Sequence, residues 1–161
     1  MSKLIPLTRG MTTVVDDEDY EWLSQFKWRA VHSRKIWYAT TLGPRANGKQ
    51  VHLFMHRMIL GCAPEEQGDH RDLDGLNNQR NNLRKATGSQ NCANRRKQNK
   101  ASRSRWKGVH FNKADGKWQG RISAKGKRYF LGLFRQEYDA ALAYNLKAVE
   151  LFGEFARLNH A

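Results

Sequence analysis

Short apolar runs separated by polar turns make residues 1–60 read as a small α/β unit. Thr12-Thr13-Val14-Val15 is a strand, and Asp16 to Gln25 a helix opened by acids, with Tyr20, Leu23 and Phe26 on one face. Ile36 to Thr41 is β-branched and aromatic, hence a second strand. Gly43-Pro44-Arg45-Ala46-Asn47-Gly48 punctuates it as a turn, and Gln50 to Phe54 returns as the hairpin partner. Met55 to Leu60 is a short helix closed by Gly61.

The pattern is cleaner toward the C-terminus. Gly108 to Phe111, Lys117 to Ala124 and Lys127 to Phe134 are three strands joined by turns at Asp115-Gly116 and Lys125-Gly126. Gln136 to Phe152 follows as a helix, with Ala140, Tyr144 and Ala148 at i, i+4 and i+8 and Gly153 as its stop. Alternation puts Trp118, Gly120 and Ile122 on one sheet face, with Tyr129 and Leu131 joining them against the helix. Gln119, Arg121, Ser123, Arg128 and Phe130 take the other face.

Charge changes the picture. The 161 residues carry 29 Lys+Arg against 15 Asp+Glu, a net charge of +14. From Asn91 to Arg128 there are 13 Lys or Arg and a single acid, Asp115, whereas the first 30 residues hold the acidic cluster Asp16, Asp17, Glu18, Asp19 and Glu21. A basic surface of this size calls for a polyanion, and nucleic acid is the first candidate. If about six cations contact phosphates, affinity falls with salt at a log–log slope of about −5. No apolar run is long enough for a membrane span or a signal peptide, so the expected setting is intracellular and cytoplasmic. Cys62 and Cys92 are too few for a disulfide framework or a four-thiolate zinc site.

Residues 66–94 are polar and rich in Asn and Asp. Asp69-His70 ends one strand, Asp72 to Arg80 is turn chemistry, and Asn82 to Ala86 is a returning strand. Thr87-x-x-Gln90 is a capping box that opens a helix containing Asn91. A hairpin followed by a helix brings a strand residue and a first-turn helix residue face to face, here the oxygen donors Asp69 and Asn91. Hard oxygen ligands with positions left for water and phosphate suit one Mg²⁺ or Mn²⁺ ion rather than zinc. Arg84, Arg95 and Arg96 lie close by as candidate phosphate clamps, and His56 opens the preceding helix. His32, His52 and His160 have no partners in register.

Asp-His, a turn, Leu-Asn-Asn-x-Arg-x-Asn-Leu-Arg and then Thr-x-x-Gln-Asn resembles the ββα-metal HNH endonucleases, in particular the homing endonucleases of phages and introns. The resemblance implies that His70 is the general base that takes a proton from the attacking water. It implies that Asp69 and Asn91, twenty-two positions apart, are the two protein ligands of a single catalytic metal. It makes Asn82 the central Asn of the catalytic set, bridging the loop and holding His70 in orientation. Where the family often has Gly in the turn, this chain has Leu73.

The run from Trp106-Lys107-Gly108-Val109-His110 through Gly116-Lys117-Trp118, Lys127 to Phe134 and Ala140-Ala141-x-Ala143-Tyr144 to Gly153-x-Phe155-Ala156-x-Leu158-Asn159 resembles the Apetala-two or ethylene-response-factor DNA-binding domain. That family lays a three-stranded antiparallel sheet in the major groove and backs it with one helix. The implied DNA-facing residues are Lys107, His110 and Asn112 with Gln119, Arg121, Ser123, Arg128 and Phe130. His110, Ser123 and Phe130 stand where that family has Arg or Trp, so its target sequence does not transfer.

The expected fold is α+β: a small α/β region and an HNH nuclease core in 1–94 (core about 55–94), a basic linker in 95–105, and a three-stranded antiparallel sheet on one helix in 106–161. The expected function is site-specific, metal-dependent cleavage of double-stranded DNA by a monomer or weak dimer of phage or bacterial-host setting, with no membrane and no small-molecule substrate. A non-catalytic DNA-binding regulator is the alternative, and a basic RNA-binding or structural protein a third.

Overall fold

The computed structural model describes residues 1–33, 35–97 and 103–160. They form an α+β chain divided into two compact units, Met1–Gly88 and Ser89–Ala161. The expected basic linker, 95–105, lies within the second unit, and its residues 98–102 are outside the described residues.

In the first unit, β1 (Ser2–Pro6) pairs antiparallel with β2 (Thr12–Asp16). The sequence pattern did not foresee β1, a five-residue strand with only one buried side chain, Ile5. α1 (Asp17–Leu23) opens on Asp17, Glu18 and Asp19, which complement the helix N-terminus. It is shorter than expected. Ser24 donates to the Tyr20 carbonyl from both its Oγ (2.6 Å) and its backbone N–H (2.9 Å), and Phe26 N–H turns back onto Leu23. Phe26 therefore leaves the helical face and stays exposed, while Leu23 is fully buried.

β3 (Arg29–Ser33), β4 (Ile36–Ala46) and β5 (Lys49–Phe54) make an antiparallel sheet with β4 in the middle. β4 runs straight through Gly43-Pro44, which had been expected to turn. The register shifts between Leu42 and Arg45, and this irregularity absorbs the proline. The reversal is confined to Asn47-Gly48, with φ of 50° and 74°, the backbone that a two-residue hairpin demands. α2 (Met55–Leu60) follows and is closed by Gly61 at φ 55°. β6 (Gln67–His70) and β7 (Leu83–Ala86) form a short antiparallel pair that sets Asp69 opposite Arg84 and His70 opposite Leu83. The core beneath contains Val15, Leu23, Trp28, Ala39, Met55, Ile59 and Leu83. Each fully buried Leu or Met in it contributes about 1.5–3 kcal/mol relative to exposure.

The long loop between β6 and β7 is clamped by β2. Val14 N–H donates to the Leu76 carbonyl (2.9 Å), and Asn78 N–H donates to the Val14 carbonyl (2.8 Å). The acidic cluster near the N-terminus grips the same loop. Arg80 donates from Nε to Asp19 Oδ2 (2.8 Å) and from Nη2 to Oδ1 (2.7 Å), and its backbone N–H donates to Asp16 (2.7 Å).

α3 (Gly88–Asn94) starts on the last residue of the first unit. In the second unit, β8 (Val109–Asn112), β9 (Lys117–Ala124) and β10 (Lys127–Phe134) form a sheet with β9 central, and α4 (Glu137–Phe152) packs on it. Ile122, Tyr144 and Ala148 meet there with Tyr129 and Leu131, and Val109, Ala140 and Ala141 with Trp118. The small alanines set the spacing: a Cβ on Gly120 would come within 3.3 Å of the Ala140 carbonyl oxygen. No helix among the described residues is long and apolar enough to cross a membrane.

Candidate functional site

Asp69 and His70 are the last two residues of β6, and both are buried. Their side chains point to opposite faces of the strand, as any two successive strand residues must. Asp69 meets its cross-strand neighbour. Arg84 Nε (2.9 Å) and Nη2 (2.8 Å) both lie on Asp69 Oδ2, and the Arg84 side chain is only 7% exposed. Arg84, a candidate phosphate clamp in the sequence, stands on β7, and its position there directs the guanidinium onto the carboxylate.

His70 enters a cluster of rings. Its centroid lies 4.8 Å from that of His56 and 6.0 Å from that of Tyr38. Burial pushes the His70 imidazole below its ordinary value, while the hydrogen bond to Asn78 and the charges of Asp72, Asp69 and Asp74 pull it back up. His56 is pushed down to about 3 by burial, with His70 and Arg57 adding to the effect. Packing is close on this side: a Cβ on Gly68 would stand 2.3 Å from the His56 ring.

The loop between the strands is a net of Asn and Asp bonds. Asn82 donates from Nδ2 to Asp72 Oδ1 (2.9 Å) and to the Asn77 carbonyl (2.8 Å), and its Oδ1 accepts from Asp72 N–H (3.1 Å). Asn82 thus ties the ends of the loop together, as expected of a bridging Asn. A second Asn of the loop, Asn78, reaches the His70 ring, with its Oδ1 3.2 Å from His70 Nε2. Asn78 in turn bonds to Thr13. Leu73 adopts φ 68°, the left-handed backbone that favours glycine, at the position where the resembled family often has Gly.

Asn91 lies on α3, in the second unit. Among the described residues no three His, Cys, Asp or Glu side chains gather to hold a metal ion. Asp69 and Asn91, the ligands expected from the sequence, are both oxygen donors, the ligand type that hard divalent cations take.

The second unit presents the expected sheet face in part. Arg121, Ser123, Arg128 and Phe130 are exposed, and Gln119 and His110 are half-buried. Register pairs Arg128 with Ser123 and Phe130 with Arg121. Burial lowers the His110 imidazole, helped by Arg121 and Lys97. Two residues placed on this face are engaged elsewhere. Asn112 bonds to Asp115 and to Ala114 N–H and so builds its own turn. Lys107 donates from Nζ to the carbonyls of Ala93 and Arg95, and burial pushes its ammonium down to about 8. Arg95 is half-buried and Arg96 exposed. Asn159, which ends the run that resembles the Apetala-two domain, joins the start of the sheet to α4 through Lys107 and Asn145.

No protein-family profile matches the chain. It is similar, at 35% identity over 146 residues, to a protein of Acanthamoeba polyphaga mimivirus described as an uncharacterized HNH endonuclease. The match spans 87% of this chain and 74% of the viral protein.

Proposed function

Because this chain belongs to the HNH endonuclease family, we propose that it is a site-specific, divalent-metal-dependent DNA endonuclease of the homing type, with β6, β7 and α3 as its ββα core. The observation that carries the reading is the end of β6, where a buried carboxylate held by arginine and a buried imidazole held by an amide follow each other in the chain.

In this reading His70 is the general base. Its imidazole takes a proton from water, the water oxygen bonds to phosphorus, and the bond from phosphorus to the leaving 3′-oxygen breaks. A neutral imidazole with an ordinary pKa near 6.5 is suited to that step, and burial keeps this one neutral at physiological pH. Asp69 and Asn91 would hold one Mg²⁺ or Mn²⁺. When bound, such an ion supplies a Lewis acid at the scissile phosphate and neutralises charge on the leaving oxygen. Arg84 keeps the Asp69 carboxylate in one orientation. Asn82 holds the loop that carries Asn78 to the ring.

The second unit is the DNA reader, of the Apetala-two or ethylene-response-factor kind. Its exposed sheet face offers Arg121 and Arg128 for guanine edges or phosphates and Gln119 for adenine, with Phe130 among them. The strongly basic composition supports this partner.

The test is incubation of the full chain with supercoiled plasmid. Mg²⁺ or Mn²⁺ converts the plasmid to nicked or linear forms, EDTA prevents the conversion, and Asp69→Asn lowers the rate at saturating DNA by about 100-fold or more. Cleavage that proceeds at the same rate in EDTA overturns the reading.

A further inference from the structure

We infer that Thr13 and Asn78 are positioning residues for His70, and that together they assign its ring proton to Nε2 and its lone pair to Nδ1. The inference deepens the nuclease reading and rests on His70 as the base.

The argument starts from a hydroxyl. Thr13 Oγ1 lies 2.6 Å from the Leu76 carbonyl oxygen. A carbonyl oxygen only accepts, so the single hydroxyl proton of Thr13 is committed to it. Asn78 lies 2.7 Å from the same Oγ1. With its proton spent, Oγ1 can only accept, so the Asn78 group facing it must be the NH₂. The Gly75 carbonyl, 3.4 Å from Asn78 Nδ2, requires the same orientation. The Asn78 carbonyl oxygen is then the atom that faces His70 Nε2 at 3.2 Å. Because it too only accepts, Nε2 is the protonated nitrogen of the neutral ring.

The arrangement is built, not incidental. Thr13 and Asn78 are fully buried, and His70 is 5% exposed. The backbone on either side is locked by the Val14–Leu76 and Asn78–Val14 bonds described above. An amide turned the wrong way would set its carbonyl oxygen against a Thr13 Oγ1 whose proton is already committed, and would take the buried NH₂ away from that acceptor, at a cost that keeps it in place. The first hairpin of the chain thereby acts on the site through Asn78 and sets which ring nitrogen works. When Nδ1 takes the proton from water, the Nε2–H bond to Asn78 persists and becomes charge-assisted.

The experiment is two-dimensional NMR of the ring nitrogens in the ¹⁵N-labelled full chain, read alongside single-turnover cleavage. In the wild type, His70 shows a protonated Nε2 and a pyridine-like Nδ1. Thr13→Ser keeps both the tautomer and the rate. Thr13→Val frees the Asn78 amide to turn, so the Nδ1–H tautomer grows in and kcat falls about tenfold with KM unchanged. Asn78→Asp, which retains an acceptor for Nε2–H, preserves the tautomer. A wild-type His70 protonated on Nδ1 overturns the inference without any variant having to fold. So does Thr13→Val with the wild-type tautomer and rate. Unaltered cleavage by His70→Ala overturns the reading beneath it, which the tautomer measurement does not depend on.

Discussion

Arg84 and Asp69 face each other across the β6–β7 register with two guanidinium nitrogens on one carboxylate oxygen, at 2.8 and 2.9 Å, and both side chains are buried. A buried carboxylate stripped of such a partner is expensive. Arg84→Met should destabilise the fold by about 3–5 kcal/mol. Arg84→Lys, which keeps the charge but loses the planar fork, should cost less. Urea denaturation checks both. If Mg²⁺ sits at Asp69, it stabilises Arg84→Met more than the wild type, since it replaces the missing cation.

The backbone of Leu73 carries a correctable cost. A branched side chain at φ 68° costs about 1–2 kcal/mol relative to a residue free of that clash. Leu73→Gly should therefore stabilise the protein by about 1 kcal/mol, after the greater freedom of unfolded glycine is subtracted. An unchanged or lower urea midpoint at equal m-value would show that Leu73 side-chain packing outweighs the strain.

His56 makes stability depend on pH. Its folded value, pushed down to about 3 by burial, lies below the ordinary value of 6.5. Between those values the unfolded chain binds the extra proton. This contribution is therefore fully present above pH 6.5 and is lost as pH falls toward 3. From pH 7 to pH 5 the loss amounts to about 2 kcal/mol. His70, shifted the same way by burial, adds to it. Denaturation at pH 7, 6 and 5 should give a falling stability, with a shallower slope in His56→Leu.

Gly75 is required for its lack of a side chain. A Cβ there would stand 2.3 Å from the Trp37 carbonyl oxygen and under 3 Å from the Tyr38 ring. A backbone carbonyl in a central strand cannot move aside cheaply. Gly75→Ala should cost about 1–3 kcal/mol by overpacking. It should also slow cleavage, because Gly75 anchors the turn that delivers Asn78. A variant as stable and as active as the wild type would mean that the loop has room to shift.

The sheet face of the second unit should govern affinity and not chemistry. Arg121→Ala with Arg128→Ala should weaken DNA binding and reduce the magnitude of the salt slope by about 2 if both contact phosphates. A change at one base position alone would instead mark base contacts. Binding titrations at several salt concentrations distinguish the two.

Local pattern carried much of this architecture. The turns Asp115-Gly116 and Lys125-Gly126 stand where the sequence puts them, with Gly116, Lys125 and Gly126 all at positive φ. The alternation along β9 separates Ile122 from Arg121 as read. Asp69-His70 does end a strand, and Asn82 does bridge the loop. What pattern could not carry was partner choice. Asn77, Asn78, Asn81 and Asn82 are chemically the same side chain in one turn-rich run, and the fold is what shows Asn78 at the histidine. Thr13 lies 65 positions before Asn78, beyond any local signal. The pairing of Arg84 with Asp69 was within reach: a hairpin of β6 and β7 sets them opposite, and a buried carboxylate needs a cation. Gly43-Pro44 read as a turn because those residues usually make one, yet a strand with an irregular register tolerates them.

The most direct measurement on the whole account is plasmid cleavage by His70→Ala in saturating Mg²⁺, with DNA affinity measured in parallel. The account predicts wild-type binding and a cleavage rate lower by about 100-fold or more. Wild-type cleavage by that variant would contradict it.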